Sequence, residues 1–347
     1  MFGSRKGMKI GILTAGGDCP GINAAIRGVG KTAIVEHGMK VYGISSGFQG
    51  LITKDYIELE EPQLSGLLTL GGTILGTSRE KPFKKKGGIY NQIDKPQLIK
   101  KNYKEMGLDA LVCIGGNGTQ RTAALLAEEG LNVIGIPKTI DNDVWGTDVS
   151  FGFDSAVLIA TEAIDRLHTT ANSHKRIMII ETMGHHAGWL ALYSGIVGGG
   201  DLIIIPEIKY DERAICDYLK KRVENKKNYS IVVVAEGVDV PSKWDSPAKY
   251  MADLIYKNVG LDTRETILGY VQRGGSPSPA DRLLATRYGA SVVEMIVKEQ
   301  FGKMVSLKGS EISSVSLKEV SDKLKTIPLD LPLLNMARNL DICFGNK

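Results

Sequence analysis

The chain has 347 residues, 43% hydrophobic and 24% charged, with 41 glycines; this balance excludes disorder and collagen-like repeats and fits a globular enzyme of one to three domains. Forty-three Lys and Arg against 39 Asp and Glu leave a formal +4, too mild to point to nucleic acid as the partner, although a few placed cations could bind phosphate. The longest apolar runs, such as Leu202 to Pro206 and Ile231 to Ala235, are far shorter than the roughly 20 residues that cross a bilayer. No apolar core of signal-peptide length precedes Lys9, so no membrane partner and a cytoplasmic location are expected.

Lys9 to Thr14 predicts a short buried strand, then the turn Ala15-Gly16-Gly17-Asp18, then a helix from Pro20 to His37 closed by Gly38, with Asp18 as its cap and Pro20 as an early helical residue. The same pattern returns at Leu111 to Ile114, Gly115-Gly116-Asn117-Gly118-Thr119 and Gln120 to Glu129, closed by Gly130. Two such units mean α/β architecture. Further strands are predicted at Val41 to Ser45, Asn132 to Ile136, Arg176 to Glu181, Leu202 to Pro206, Ser230 to Ala235 and Thr266 to Val271. Helical patterns between them include Asp154 to His168, Arg213 to Lys227 and Pro279 to Gln300, so a mostly parallel sheet covered on both faces is expected. At about 150 residues per domain the length predicts two domains, with a first crossing near Phe151. Lys84-Lys85-Lys86-Gly87-Gly88 breaks the pattern and is expected as an exposed loop or insertion.

Three groups of residues carry chemistry. The glycine turns at 16 to 18 and 115 to 119 can bring backbone N–H groups and a helix N-terminus to an anion, which suits phosphate. Neither matches GxxxxGK[ST] or GxGxxG, which excludes an ordinary P-loop or dinucleotide site. Pro137-Lys138-Thr139-Ile140-Asp141-Asn142-Asp143 gathers a lysine, a hydroxyl and two carboxylates. Carboxylates at i and i+2 on one extended loop can divide labour, one holding Mg²⁺ and the other accepting a proton; an Asx-rich turn bonded to its own backbone remains the alternative. Arg79, Arg176, Arg264 and Arg273 stand beside glycines or at strand ends, and a planar guanidinium suits phosphate. Cys19, Cys113, Cys216 and Cys343 form no disulfide or zinc pattern. His185 and His186 are adjacent, which is unfavourable for a metal pair.

In combination these segments resemble the phosphofructokinase family, whose members phosphorylate the 1-hydroxyl of fructose 6-phosphate. The resemblance runs in order from Lys9 to about Gly302 and rests on Gly-Gly-Asp-Cys-Pro-Gly-Ile-Asn at 16 to 23, Gly-Gly-Thr-Ile-Leu-Gly-Thr-Ser-Arg at 71 to 79, Gly-Gly-Asn-Gly-Thr at 115 to 119, Thr-Ile-Asp-Asn-Asp at 139 to 143, Met183-Gly184 and Gln-Arg-Gly-Gly-Ser-Pro at 272 to 277. It implies an α/β fold of two similar doubly wound domains with mostly parallel sheets and the active site in the cleft between them. The phosphoryl-donor domain would hold residues 1–152 and about 272–322, and the sugar-phosphate domain 153–271 and about 323–347. It further implies a homodimer or homotetramer with a shared active site, acting on a sugar phosphate and a nucleotide.

By the same resemblance, Asp141 would be the general base, with Lys138 and Thr139 beside it in the catalytic group, and Asn117 and Asp143 would hold Mg²⁺. Gly17, Arg79, Glu80, Gly115, Gly116, Asn117, Gly118 and Thr119 would lie along the phosphoryl donor. Thr139, Ile140, Asp141, Met183, Gly184, His185, Glu236, Tyr270 and Arg273 would bind the sugar phosphate, with Arg176 and Arg264 reaching it across an interface. The chain departs from the pattern at Asn117, which replaces an acidic residue, at His185, which replaces an arginine, and at Tyr270, which replaces a histidine; sedoheptulose 7-phosphate and tagatose 6-phosphate stay open as substrates. Gly118 leaves room for ATP whereas Lys138 is associated with pyrophosphate. An excluded nucleotide is decisive while a lysine tolerates either donor, so Mg²⁺-dependent phosphorylation by ATP, a glycolytic reaction, is expected. A pyrophosphate-dependent reversible enzyme and a catalytically weak regulatory paralogue are the alternatives. Of the family's arginine-rich effector site Arg27 matches one position, but Lys31 and His168 stand where arginines are expected, so effector control is expected to be weak or absent.

Overall fold

The structure is a computed structural model and describes residues 7–83 and 94–346; the lysine-glycine segment 84–88 lies outside the described residues. The chain divides into two compact units. The first comprises Met1–Thr139, Val144–Gly152 and Arg273–Leu324; the second comprises Ile140–Asp143, Phe153–Gln272 and Lys325–Lys347.

In chain order the first unit supplies β1 (Lys9–Thr14), α1 (Ile22–Lys31), β2 (Lys40–Ile44), α2 (Phe48–Thr53), β3 (Tyr56–Leu59), α3 (Lys95–Glu105), β4 (Ala110–Gly115), α4 (Asn117–Glu128), β5 (Val133–Thr139) and β6 (Phe151–Gly152). The second unit then supplies α5 (Phe153–His174), β7 (Ile177–Thr182), α6 (Trp189–Val197), β8 (Leu202–Ile204), α7 (Glu212–Glu224), β9 (Ser230–Ala235), α8 (Pro247–Val259) and β10 (Thr263–Ile267). α9 (Pro279–Val297), β11 (Lys303–Lys308), β12 (Glu311–Ser316) and α10 (Leu317–Ser321) return to the first unit, and α11 (Pro332–Asn339) belongs to the second.

The sheet of the first unit runs β12-β11-β5-β4-β1-β2-β3, with β6 beside β5. Its centre is parallel and only β3 and β12 are antiparallel. β4 (ALVCIG) and β5 are buried throughout and β1 (KIGILT) is buried after its first residue, the near-continuous apolar reading of strands covered on both faces. Their carboxyl ends lie side by side, with Thr14 opposite Ile114 and Gly115 opposite Pro137, so the segments after them open at one edge. α1 and α9 approach closely because both carry glycine: a Cβ on Gly289 would lie 2.6 Å from the Ala25 carbonyl and one on Gly28 would lie 2.8 Å from the Thr286 carbonyl.

The second unit has a smaller, wholly parallel sheet, β10-β7-β9-β8. β7 and β9 form its buried centre and end together, Thr182 opposite Ala235, so the loops after 182 and 235 also share an edge. Ligands of open α/β sheets bind at such carboxyl ends. Both units are therefore α/β with mainly parallel strands, as expected.

Several elements differ from expectation. The helix predicted from Pro20 begins at Ile22, because Gly21 turns the chain with φ 104° and is itself the N-cap, so Asp18 caps nothing there. A Cβ on Gly21 would strike the Phe151 ring. The helix ends in a π-helical turn, Thr32–Glu36. The strand expected at 266–271 lies earlier, at Thr263–Ile267, and is followed by a 3₁₀ turn, Gly269–Arg273, which Gly269 opens with φ 51°. Lys138 and Thr139, expected in a loop, extend β5 and pair with Phe151 and Gly152. β11 and β12 form a hairpin not foreseen, turning at Gly309 with φ 59°. Among the described residues no helix is long and apolar enough to cross a membrane.

Candidate active site

In the first unit the turn after β1 is held from three sides. Ala15 N–H donates to the Ile114 carbonyl at 3.0 Å and Gly16 N–H to the Ser78 carbonyl at 3.0 Å, while Thr77 Oγ1 donates to the Gly16 carbonyl at 2.6 Å. These bonds stitch segment 76–80 to the turn and set exposed Arg79 and half-buried Glu80 at its end. Glu80 is ion-paired with Lys95 at 2.8 Å. Two cations then reach the turn's own carbonyls: buried Lys138 donates from Nζ to Gly17, and Arg273 donates from Nη1 to Asp18 at 3.3 Å. A Cβ on Gly17 would overlap the Arg273 guanidinium, so glycine is required for this approach.

The second glycine turn joins β4 to α4. Thr119 Oγ1 donates to the Ala15 carbonyl at 3.2 Å, tying the two turns together, and Gln120 Nε2 bridges the Gly115 and Ile136 carbonyls at 2.8 and 2.9 Å. Gly115 has no room for a side chain because Thr119 occupies it. Gly118 is different. It is exposed, its φ is not positive, and a Cβ there would meet nothing within 4 Å, so neither packing nor backbone strain demands glycine. The N-terminus of α4 with Asn117, Gly118 and Thr119 offers N–H groups and a favourable dipole to an anion.

In the second unit the loop 140–143 is buried: Asp141 is 8% exposed, Asn142 3% and Asp143 5%, with Asn142 left-handed at φ 52°. Asn142 Oδ1 accepts from Lys325 Nζ at 2.8 Å and the Asp143 carbonyl accepts from Lys325 N–H at 2.9 Å. After β7, Met183 N–H donates to buried Gln272 Oε1 at 3.4 Å, and His185 N–H donates to Glu236 Oε1 at 2.9 Å. Gly184, with φ 144°, turns the loop so that Ala187 N–H reaches its carbonyl at 3.0 Å. The rings of His185 and His186 stack at 3.8 Å, both exposed. Arg176 and Arg264 converge on Asp262, at 3.3 and 3.6 Å, and exposed Tyr270 lies beyond β10.

Thus Gly17, Lys138, Arg273 and Gly115 to Thr119 gather in the first unit, and the second unit gathers Met183 to His185 with Glu236. Arg273 belongs by its contacts to the turn at Gly17 and Asp18. Sequence reasoning missed Gln120, whose amide bridges two strand ends, and Lys325, which reaches the loop from far along the chain; no local pattern marks either. Burial pushes the Cys19 thiol up to about 12, against the opposing pull of the Lys138 and Arg273 charges. Asn117 in the first unit and Asp143 in the second each carry an oxygen donor of the kind a hard cation takes. Among the described residues one group brings mixed donor atoms within 4.8 Å, Glu36, His37 and Glu294, where His37 Nε2 lies 3.5 Å from Glu294 Oε1.

Comparison with known proteins matches residues 9–296 to the family Phosphofructokinase. The chain is 60% identical to the ATP-dependent 6-phosphofructokinase 3 of Bacteroides thetaiotaomicron, over 97% of this chain and 100% of that protein. It is 45% identical to the pyrophosphate–fructose 6-phosphate 1-phosphotransferase of Streptomyces coelicolor, over 92% and 96%. The crystal structure of Pichia pastoris phosphofructokinase in the T-state superposes with a TM-score of 0.83 at 35% identity, covering 91% of this chain and 36% of that one.

Proposed function

This chain belongs to the phosphofructokinase family, and from that premise we propose that it transfers the γ-phosphoryl group of ATP to the 1-hydroxyl of fructose 6-phosphate, giving fructose 1,6-bisphosphate and ADP. The observation that carries the choice of donor is Gly118, a glycine that its own protein surroundings do not require. Its lack of a side chain is explained by room kept for a nucleotide. The 60% identity to a protein named for ATP supports the same donor.

In this reading Asp141 accepts the proton of the 1-hydroxyl while the sugar oxygen bonds to the γ-phosphorus and the bond to the β-phosphate oxygen breaks. Such a transfer depends on in-line positioning and charge neutralisation. Lys138 and Arg273 supply fixed positive charge at the turn 16–18, the N–H groups of α4 cradle donor oxygens, and Asp143 with Asn117 would hold Mg²⁺, which when bound neutralises phosphate charge. Met183, Gly184, His185 and Glu236 line the sugar-phosphate side. Arg176 and Arg264 serve the 6-phosphate of a neighbouring copy in a homodimer or homotetramer; exposed Ile267, Tyr270 and Val271 along the same edge support a second copy there.

A second reading, transfer from pyrophosphate, is favoured by Lys138 and by the 45% identity to a relative named for pyrophosphate. Formation of fructose 1,6-bisphosphate with ATP and with pyrophosphate at equal concentration tests both: turnover with ATP alone is expected, and turnover with pyrophosphate alone overturns the choice of donor.

A further inference from the structure

Residues 325 to 327 form a short strap in the second unit, and its bonds go to two loops that the functional reading uses. Lys325 N–H donates to the Asp143 carbonyl at 2.9 Å and its Nζ to Asn142 Oδ1 at 2.8 Å. On its other side, the Lys325 carbonyl accepts from Trp189 Nε1 at 3.0 Å, and the ammonium stands 5.4 Å from the centre of the Trp189 ring. Two residues on, Ile327 N–H donates to Glu207 Oε1 at 3.0 Å, and the same carboxylate accepts Gly188 N–H at 3.0 and 3.1 Å. Gly188 and Trp189 directly follow the Met183 to His185 loop.

We propose that Lys325 is a positioning residue for phosphoryl transfer, fixing the loop 140–143 and coupling its placement to the loop 183–188. The argument turns on Asn142. Its left-handed backbone, φ 52°, sets the turn between Asp141 and Asp143, and asparagine tolerates that conformation better than most residues without requiring it. A charge-assisted bond from Lys325 to the Asn142 amide oxygen selects the turn. The main-chain bond to Asp143 holds the following residue, so one lysine bonds both the residue between the two carboxylates and the main chain of the second. Glu207 and Trp189 anchor the strap to the segment that follows the proposed sugar-phosphate loop, and a shift in one loop is thereby felt by the other. The inference rests on the kinase reading for its consequence, not for its geometry.

Lys325→Met tests it, because the thioether chain keeps the packing on Trp189 and the main-chain bonds while removing the ammonium. Steady-state kinetics with ATP and fructose 6-phosphate are expected to give a kcat lowered about tenfold or more, KM for ATP within about twofold, and recovery of most of kcat in Lys325→Arg. In an Asn142→Gly background the lysine substitution is expected to add little, the non-additivity of two residues acting through one bond. Amide hydrogen exchange over residues 140–143 is expected to speed up in Lys325→Met at unchanged thermal midpoint. That readout needs no turnover, so it decides positioning even if the wild-type protein fails to phosphorylate fructose 6-phosphate and the functional reading falls. Unchanged exchange in this loop, or kcat within twofold of wild type, overturns the proposal.

Discussion

The two units use the polypeptide differently around their candidate functional residues. In the first unit the candidate surface is main chain: glycines at 16, 17, 115, 116 and 118 keep side chains away, and the cations Lys138 and Arg273 hold the turn after β1 by its carbonyls. In the second unit the candidate groups are side chains: Asp141 and Asp143 sit in a buried loop whose left-handed Asn142 is bonded by Lys325. A main-chain surface fails when something is added, and a side-chain surface fails when something is removed. Substitutions can therefore be sorted before any activity is measured.

The sharpest break is expected at Asp141. Asp141→Asn removes the proposed proton acceptor while keeping size, so kcat should fall about 10²- to 10⁴-fold, with sugar-phosphate binding by calorimetry largely preserved. Preserved turnover would remove the general base from the second unit and erase the contrast. At Gly118 the opposite logic applies: Gly118→Asp should fold normally, since its Cβ enters open space, yet turnover with ATP should fall about 100-fold while any turnover with pyrophosphate survives. Equal loss with both donors would mean that the residue does not discriminate between them.

The comparison sharpens further between two glycines of one unit. A Cβ on Gly71 would collide with the Gly275 carbonyl, main chain that cannot move aside cheaply. Gly71→Ala should cost about 1–3 kcal/mol in urea unfolding, whereas Gly118→Ala should stay within about 0.5 kcal/mol. The smallest expected effect is at Cys19, in the middle of the donor-side motif. Its buried thiol, pushed up to about 12, stays protonated in the folded state while the unfolded thiol ionises near 9.0, so its contribution to stability is lost only as pH rises above about 9. Between pH 7 and 9, iodoacetamide should label Cys19 in urea and leave it unmodified in the native protein; native labelling would mean that the turn opens.

How much of this was legible depended on where each residue's partners lie. The central strands β1, β4, β7 and β9 announce themselves because burial on both faces demands continuous apolar runs. β10 reads Thr-Arg-Glu-Thr-Ile and is an edge strand with its middle exposed, so the apolar pattern pointed a few residues too late. The glycine turns and the two carboxylates were visible as motifs. That Arg273 would bond to Asp18, or Lys325 to Asn142, was not, since in both pairs the partner lies well over a hundred residues away and nothing local at either end encodes it. Gly21 shows the same limit: the ring that leaves no room for a side chain at this left-handed turn belongs to distant Phe151, and the helix starts only after it.

The division of the chain into interleaved segments has a consequence for its biosynthesis. Neither unit is contiguous: the eight-stranded sheet takes β11 and β12 only after the whole run Phe153–Gln272 of the other unit has left the ribosome, and that unit in turn waits for Lys325–Lys347. Until then β5 presents an unpaired edge to solvent where β11 will lie, a surface that invites association with other nascent chains. A fragment ending before β11 should therefore aggregate rather than fold as an isolated domain, and chaperone demand during translation should peak between synthesis of β5 and of β11.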